Sequence, residues 1–510
     1  QVGNATGQGL MFRYPIPSAD RTLNSGDSNL LGGGNIYNGS FSPSFGNALG
    51  GLSKIAYDEN GVAVNAKNNA TDILVKYWKN DNDYTKSSVA YINSDYNTGW
   101  MHGDIKLATL SDTDTTNVTG SELVTNGTFT GTGNVTGWTV EASATNNNGA
   151  NVLSITAGSA TNVAATQVLT LVIGKSYVVS FERITGTGSC SISVSGAGLP
   201  TLYTSSLGVE TRTFVATATS GTLLLNTGSG GTTIIADNVS VRLAEEDRSV
   251  NGKGLQVFGT VTKTAVATGA ELVGYSGFSA SNYLEQPYNA DLQFGTGDFS
   301  ISCWVKAGAA NSYRRFISIQ DPTGNQINDD AITLKYAPPS SGIIYAYLGT
   351  TEGSVDSPIV PANIWQQIIL VRASSTYSLY LNGRSVATKA STQTKGSTSH
   401  VLRVGGGADG LEPFSDGSIA LVRISKTAPS AEQIAKIYND EKHLFSTNAK
   451  VTLYGSSDAV TALAYDDDTE LLHVGTSAGR SEFQGLNRVN NTTDAVSAAI
   501  SASNGFIVEE

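Results

Sequence analysis

Apolar and polar residues alternate along this chain in runs of strand length, separated by turn residues. The run STYSLYLNGRSVATKAS at 375–391 is typical, because Leu379 and Leu381 alternate with polar or aromatic positions and leave one face apolar. Asn382-Gly383 suits the positive φ angles of a type I′ turn, which predicts a β-hairpin. An isolated hairpin is marginally stable in water, so further strands must complete a sheet.

Two middle segments, 119–246 and 247–446, are built from such runs. Short alternating strands bounded by glycine predict an antiparallel β-sandwich in each segment. In the first segment the strand candidates are NVLSITAG, ATQVLTLVIGKSYVVSFERITG, CSISVSG, ETRTFVATAT and GTLLLNTG.

The flanking segments 1–118 and 447–510 share another pattern. Three passages run from small apolar residues through Ala-Tyr and an acidic or Asn-rich turn into a second strand, at 53–67, 88–110 and 461–483. Degenerate copies predict repeated antiparallel units, which resemble blades of a β-propeller, with the last segment closing the first. A propeller tolerates inserted modules because a longer loop adds only a modest closure cost.

One short helix is predicted near 430–441. Ser430 is an N-cap candidate with Gln433 three residues later, which is a capping-box pattern. Ile434, Ile437 and Tyr438 line one face of this helix. The predicted fold class is therefore all-β, with two sandwiches, propeller-like flanks and this one helix.

Composition narrows the classes of partner. The 510 residues exceed one typical core, so about two to four domains are expected. The net charge is −12 and basic runs are absent, so nucleic-acid binding is not expected. The longest apolar runs are too short to span a bilayer, so membrane insertion is not expected either.

Four motifs follow in order through 247–446: GTGDFSISCWVKAG, WQQIILVR, LYLNG and GSIALVRIS. In this order the segment resembles the laminin-G-like, concanavalin A-like sandwich family. In 119–246, an opening NGTF, then GWT, and a closing ADNVSV resemble a carbohydrate-binding-module family with a jelly-roll fold. That resemblance implies a structural Ca²⁺ at Asp237, with Glu122 and the carbonyls near 126–127 completing the site.

Aromatic rings are the expected chemistry of sugar binding. In SGIIYAYLG at 341–349, Ile344 and Ala346 lie on a core face, so Tyr345 and Tyr347 point the other way. Tyr380 likewise alternates with apolar neighbours. These three tyrosines are the predicted glycan-binding residues. The alternative is a tyrosine-rich face that packs on a neighbouring domain or subunit.

Candidate catalytic groups are few. His102, His400, His443 and His473 show no metal-ligand spacing. The acidic clusters, such as the one at 409–416, are interpreted as solvated loops, with calcium as the functional alternative. No segment resembles a catalytic domain, so the protein is predicted not to be an enzyme.

The combination of propeller-like repeats and inserted sandwiches resembles tail or appendage proteins of marine bacteriophages. The phrases that carry this resemblance are YINSDYNTGW, LAYDDDTELLHVGTSAGRS and VNGKGLQVFGTV. It implies a virion protein at the particle surface that binds host cell-surface glycan, contacts other virion proteins and forms a homo-oligomer, since multivalency raises avidity. The alternatives are a capsid decoration or cementing protein with structural sandwiches, and a secreted glycan-active enzyme with accessory modules.

Overall fold

A computed structural model describes strand backbones before residue 100 and most of the chain from 100 to 510. The early strand backbones are those at 2–4, 10–13, 30–31, 53–57, 63–67, 74–78 and 88–92. Beyond residue 100 the description omits residues 132, 141–143, 148–150, 158–163, 229–231, 250, 310–311, 324–327, 338–341, 456–459 and 467.

The first eight strands form three small antiparallel sheets, β1-β2-β3, β4-β5 and β6-β7-β8. Their bounds are β1 Val2–Asn4, β2 Leu10–Arg13, β3 Leu30–Leu31, β4 Ser53–Tyr57, β5 Ala63–Lys67, β6 Leu74–Trp78, β7 Ser88–Ile92 and β8 Trp100–Met101. The first two repeated passages thus each contain an antiparallel pair, β4-β5 and β7-β8. Their arrangement as propeller blades stays a prediction.

The end of the predicted N-terminal segment differs from the expected boundary at 118. Strand β9 (Ile105–Thr109) pairs with 422–425, and β10 (Val118–Gly120) pairs with 259–261. Leu107 is buried in the core of the second sandwich. Alternation predicts that such a run is a strand, but it carries no information about which sheet the strand joins, so the boundary was placed too late.

The first sandwich packs two sheets, β11-β14-β19-β16-β17 and β12-β13-β20-β15-β18. Its strands are β11 Thr139–Val140, β12 Ala144–Asn147, β13 Val152–Thr156, β14 Ala164–Thr170, β15 Ser176–Gly186, β16 Cys190–Ser195, β17 Leu199–Thr204, β18 Gly208–Val215, β19 Ser220–Thr227 and β20 Thr233–Glu245. Alternate residues of the two sheets meet in one core that includes Phe129, Trp138, Phe181 and Leu225.

The second sandwich contains strands β21 to β33. They are β21 Leu255–Ala265, β22 Val273–Ser276, β23 Tyr283–Gln286, β24 Phe299–Lys306, β25 Arg314–Gln320, β26 Ile332–Tyr336, β27 Ile343–Tyr347, β28 Ser354–Ile359, β29 Gln366–Ala373, β30 Thr376–Leu381, β31 Arg384–Ala390, β32 Val401–Val404 and β33 Ser418–Ser425. A 3-10 helix lies at Ala290–Leu292.

These strands form two sheets, which we name by their position. The front sheet has the order β21-β23-β32-β25-β26-β27-β28, and the back sheet contains β22, β33, β24, β29, β30 and β31, with β9 also paired to β33. Strand β21 belongs to both, because it pairs with β23 before Gly259 and with β22 after it. Gly259 has φ +63, and a Cβ there would lie 2.1 Å from Asn282 Oδ1, so the crossing requires glycine.

Helix α1 (Ala431–Glu441) covers the outer face of the back sheet. The predicted capping box is confirmed, since the Gln433 N–H donates to Ser430 Oγ and the Ser430 N–H donates to Gln433 Oε1. Ile434 packs on Ile369 and Val371 of β29. A 3-10 turn, Lys442–Phe445, continues from the helix. Within the described residues, no helix is long and apolar enough to cross a membrane.

The last segment forms a four-stranded antiparallel meander followed by a hairpin. Its strands are β34 Val460–Asp466, β35 Leu471–Thr476, β36 Gly479–Gln484, β37 Asn487–Asn491, β38 Ile500–Ser503 and β39 Phe506–Glu509. The meander shares a core with the helix side of the second sandwich, where Phe483 and Leu472 lie in one cluster with Trp100 and Trp304. The predicted all-β class is thus confirmed, while a ring of blades stays a prediction.

Candidate binding site on the front sheet

Tyr345 and Tyr347 lie on the outer face of the front sheet. In β27 the side chains of Ile344 and Ala346 are buried in the core, whereas those of the two tyrosines are half-buried. The neighbouring strands place Lys335 beside Tyr345. The orientation of both tyrosines away from the core is therefore as predicted.

Charged residues from three separate segments meet around Tyr345. Lys335 Nζ lies 5.8 Å from the Tyr345 ring centroid and 5.3 Å from that of Tyr313, whose side chain is 49% exposed. Glu412 Oε2 lies 2.7 Å from Lys335 Nζ and 2.7 Å from Arg315 Nε. We call Tyr313, Tyr345, Tyr347 and these ion pairs the platform.

The loop between β32 and β33 completes the platform. The Arg315 N–H donates to the Glu412 carbonyl at 2.8 Å, and Arg315 Nη1 donates to Asp409 Oδ1 at 2.8 Å. At Gly407 a Cβ would lie 2.2 Å from Arg315 Nη1 and 2.4 Å from Asp409 Oδ1, so a side chain there would displace this ion pair. The acidic cluster at 409–416, which was interpreted as a solvated loop, is thus tied to buried arginines.

The electrostatics of the platform follow from partial burial. Burial raises the pKa of Tyr345, and the charge of Glu412 raises it further. Burial lowers the pKa of Lys335, although Glu412 opposes this shift. Burial alone would raise the pKa of Asp409, but the hydrogen bond from Arg315 holds it below its ordinary value. Glu412 and Asp409 are therefore engaged as ion-pair acceptors.

A stack of side chains links this face to the first sandwich. Arg242 Cζ lies 4.1 Å from the Phe258 ring centroid, Phe258 stacks on Tyr283 at 4.5 Å, and Arg403 Cζ lies 3.8 Å from Tyr283. Arg403 also pairs with Glu285 at 2.5 Å. A cation thus lies on each side of a stacked pair of rings, which it attracts, and Arg403 Nη1 also donates to the Gly407 carbonyl of the loop at 3.0 Å.

Tyr380 does not belong to this site. It lies on β30 of the back sheet, opposite Ile369, and packs with Ile369 and Ile434 under helix α1. The outer faces of two stacked sheets point in opposite directions, so the prediction that Tyr380 joins the other tyrosines was wrong. Alternation assigned it correctly to an outer face, but could not say of which sheet.

The structure gives the surroundings of both predicted calcium residues, and calcium binding at them stays a prediction. Glu122 accepts from Val124 N–H, Ser240 Oγ and Val241 N–H, and it pairs with Arg242 Nε at 3.1 Å. Asp237 lies on β20 directly opposite Glu182 of the neighbouring strand β15. Glu122 is therefore already engaged by an arginine and by backbone and hydroxyl donors. Among the described residues no group of three or more His, Cys, Asp or Glu is placed to hold a metal ion.

Three histidines are held by structural partners. His102 Nδ1 lies 2.7 Å from Gln433 Nε2, and His400 Nε2 lies 3.3 Å from Asp330 Oδ1. His473 Nδ1 lies 3.8 Å from Glu482 Oε1. They belong to different parts of the described chain and do not form a joint centre.

Sequence reasoning missed most of the platform. Tyr313, Lys335 and Glu412 come from distant strands and a loop, and no local pattern joins them. The two consecutive arginines of SYRRF at the start of a strand were the one available signal, because a charge that becomes buried needs a hydrogen-bonded partner, which can be a carboxylate.

Comparison with known proteins assigns the second sandwich. A laminin G family model described as Concanavalin A-like lectin/glucanases superfamily matches residues 278–435. The chain therefore carries a concanavalin A-like jelly-roll domain, and the platform lies on it. No curated protein sequence matches the chain.

Parts of the chain are similar in structure to solved structures of other proteins. The binding domain of Paraclostridial Mosquitocidal Protein 1 is 14% identical with a TM-score of 0.32, over 46% of this chain and 62% of that one. Domain 4 of AbnA, a GH43 extracellular arabinanase from Geobacillus stearothermophilus in complex with arabinotriose, is 14% identical with a TM-score of 0.30, over 38% and 92%. The Ruminococcus gnavus IT-sialidase CBM40 bound to alpha2,3 sialyllactose is 18% identical with a TM-score of 0.25, over 28% and 84%.

Proposed function

We propose that this chain is a non-enzymatic structural protein of a virion, a tail, fibre or appendage component at the particle surface, whose second sandwich binds a host cell-surface glycan. The observation that carries glycan binding is the platform itself. Tyr345 and Tyr347 present rings on an outer sheet face, with Tyr313 beside them and charged hydrogen-bonding groups between.

Sugars offer two kinds of surface, and the platform has a counterpart for both. Their C–H faces pack on aromatic rings, which contribute about 1 kcal/mol per ring by analogy with aromatic pairs. Their hydroxyls need fixed donors and acceptors, which Lys335 and Glu412 supply while holding each other in place. Side chains that are already positioned lose little conformational freedom when a ligand binds.

The family match concerns the same domain. Its description covers both lectins and glucanases, so it is compatible with binding and with hydrolysis. The platform favours binding. A glycosidase needs a carboxylic acid with a raised pKa, whereas Arg315 holds the pKa of Asp409 low and Glu412 is engaged by two cations.

The virion context rests on the resemblance of the flanking repeats and of 250–261 to phage appendage sequences. Display in many copies would suit this role, because weak sites combine into an avidity that is higher by about 10²–10⁴. The rival structural role is a decoration or cementing protein, in which the tyrosine face packs on a neighbouring subunit.

A double substitution tests the proposal. Tyr345→Ala with Tyr347→Ala should weaken binding to a responsive glycan on an array by about tenfold or more, since 1.4 kcal/mol corresponds to a factor of ten. Tyr465→Ala is the matched control, because Tyr465 is 45% exposed and lies on β34 outside this domain. Tyr380→Ala should leave affinity unchanged.

The two structural roles give different outcomes. If the double variant assembles into particles and loses adsorption to host cells, the glycan-binding role is supported. Normal adsorption with failed incorporation would assign the tyrosines to a subunit contact. Release of reducing sugars from a bound polysaccharide would overturn the non-enzymatic role.

A further inference from the structure

The platform is asymmetric in charge, because its cations are fully buried and the carboxylate that pairs with both is only partly buried. The Arg315 and Lys335 side chains are 2% and 5% exposed, whereas Glu412 is 26% exposed. A ligand approaching Tyr345 therefore meets carboxylate oxygens before it meets nitrogen.

Asp356 strengthens this asymmetry. It is the exposed β28 neighbour of Tyr345, and its charge adds to that of Glu412 in raising the pKa of Tyr345. Around Tyr345 the two carboxylates that raise its pKa, Glu412 and Asp356, therefore lie closer to solvent than Arg315 and Lys335. At the other end of β27, Lys389 Nζ donates to the carbonyl of Ser354, which is the β28 neighbour of Tyr347.

Both cations are also already paired with Glu412. For an anionic ligand to pair with Lys335 or Arg315, it would have to displace Glu412, which bonds both at 2.7 Å. Displacement would leave the Glu412 carboxylate without a partner beside a second negative charge, and unpaired charges in partly buried sites are costly. A ligand without negative charge needs no such exchange, since its hydroxyls can donate to the Glu412 carboxylate, which is 26% exposed and keeps its two cations.

We propose that the platform selects glycans that carry no negative charge and rejects those that carry carboxylate, sulfate or phosphate groups near the stacked residue. This inference rests on the proposed glycan-binding function and adds the ligand class. Rejection comes from the repulsive carboxylates and not from a lack of contact area, which is how a site discriminates between ligands of similar shape.

Matched polysaccharides test the selection. Dextran, galactomannan and xylan, each beside its sulfated derivative, are measured against the full chain by affinity electrophoresis at low and high salt. At least one neutral polysaccharide should bind, and its sulfated derivative should bind at least about tenfold more weakly at low salt. The gap should shrink at high salt, because salt screens exposed charges.

Charge-removing variants identify the residues responsible. At low salt, Asp356→Asn should reduce the difference in affinity between a neutral probe and its sulfated derivative by several-fold. Asp494→Asn, at an exposed aspartate in the last segment, is the control and should leave this difference unchanged. Glu412→Gln should narrow it in the same direction. A sulfated probe that binds more tightly than its neutral parent would overturn the selection while leaving glycan binding intact. Failure of every probe to bind would overturn the proposed function, and the inference with it.

Discussion

The Glu441 carboxylate at the end of helix α1 accepts a hydrogen bond from the indole Nε1 of Trp304 at 2.7 Å. Glu441 is fully buried, and it also pairs with Arg423 of β33 at 2.5 Å. Arg423 in turn donates to the Trp100 carbonyl, which belongs to the segment before the sandwiches. One carboxylate thus ties the helix, the back sheet and the N-terminal segment together.

Removing the Glu441 carboxylate should strongly lower the free energy of unfolding. Glu441→Ala leaves Arg423 buried without its partner, and breaking a buried pair in this way costs about 3–5 kcal/mol. Chemical denaturation followed by tryptophan fluorescence measures the loss. Glu432→Ala, an exposed position in the first turn of the same helix, is the control and should cost under about 1 kcal/mol. Equal losses in the two variants would contradict the central role of Glu441.

Two glycines with the same φ angle, one of them in the hairpin turn, allow a matched comparison of stability. Gly383 and Gly410 both have φ +78, a conformation that costs any other residue about 1–2 kcal/mol. A Cβ at Gly383 would also lie 2.9 Å from Tyr438 Cβ of helix α1, whereas at Gly410 it would meet nothing within 4 Å. Gly383→Ala should therefore destabilise the protein more than Gly410→Ala in urea denaturation. An equal cost would show that the helix does not pack on the turn.

Stability should fall on mild acidification. Burial lowers the pKa of His400 and of His473 from the ordinary value of 6.5, against the opposing charges of Asp330 and Glu482. The unfolded imidazoles take up protons near 6.5 and the folded ones only at lower pH, so the unfolded state binds more protons in between. The free energy of unfolding should then decrease as the pH falls below about 6.5.

Histidine variants isolate this effect. His400→Gln and His473→Gln should each flatten the decrease between pH 7 and pH 5, measured as thermal midpoints in a series of buffers. His443→Gln is the matched control, because His443 is exposed on the 3-10 turn after helix α1. If all three variants keep the slope of the unmodified chain, buried histidines are not its cause.

Replacing Asp237 should change the thermal midpoint in opposite directions if it is a carboxylate without a metal and if it is a calcium ligand. Burial raises the pKa of Asp237, and the charge of Glu182 adds to this, so its ionised form costs stability once the pH exceeds the raised pKa. Asp237→Asn should therefore raise the thermal midpoint at neutral pH, by the same amount in calcium and in chelator. A midpoint that rises with calcium in the unmodified chain, and no longer does so in Asp237→Asn, would assign a metal to this residue.

Local features of the fold could be predicted from the sequence because their causes are local. The positive φ angles of Asn382 and Gly383 confirm the predicted turn, and the Ser430–Gln433 capping box begins the helix as expected. Each depends on residues within four positions of one another, where backbone sterics and a few hydrogen bonds decide the conformation.

The binding site could be predicted only in part, because it depends on pairing between distant strands. Alternation placed Tyr345 and Tyr347 on an outer face, but the same rule could not separate them from Tyr380 on the other sheet. Glu412 reaches Arg315 across almost a hundred residues of chain through ion pairing that no period reveals. Only the assembled sheet brings such groups together.

The Arg242–Phe258 contact and the short ladder between β20 and β21, where Ala244 faces Gln256, have a mechanical consequence. A force on a ligand bound at Tyr345 would be transmitted through the front sheet to Arg403. From there the stacked rings would transmit it to the first sandwich. The two sandwiches are thus joined by side-chain stacking and strand pairing as well as by the chain, so a force applied to one sandwich is shared by the other.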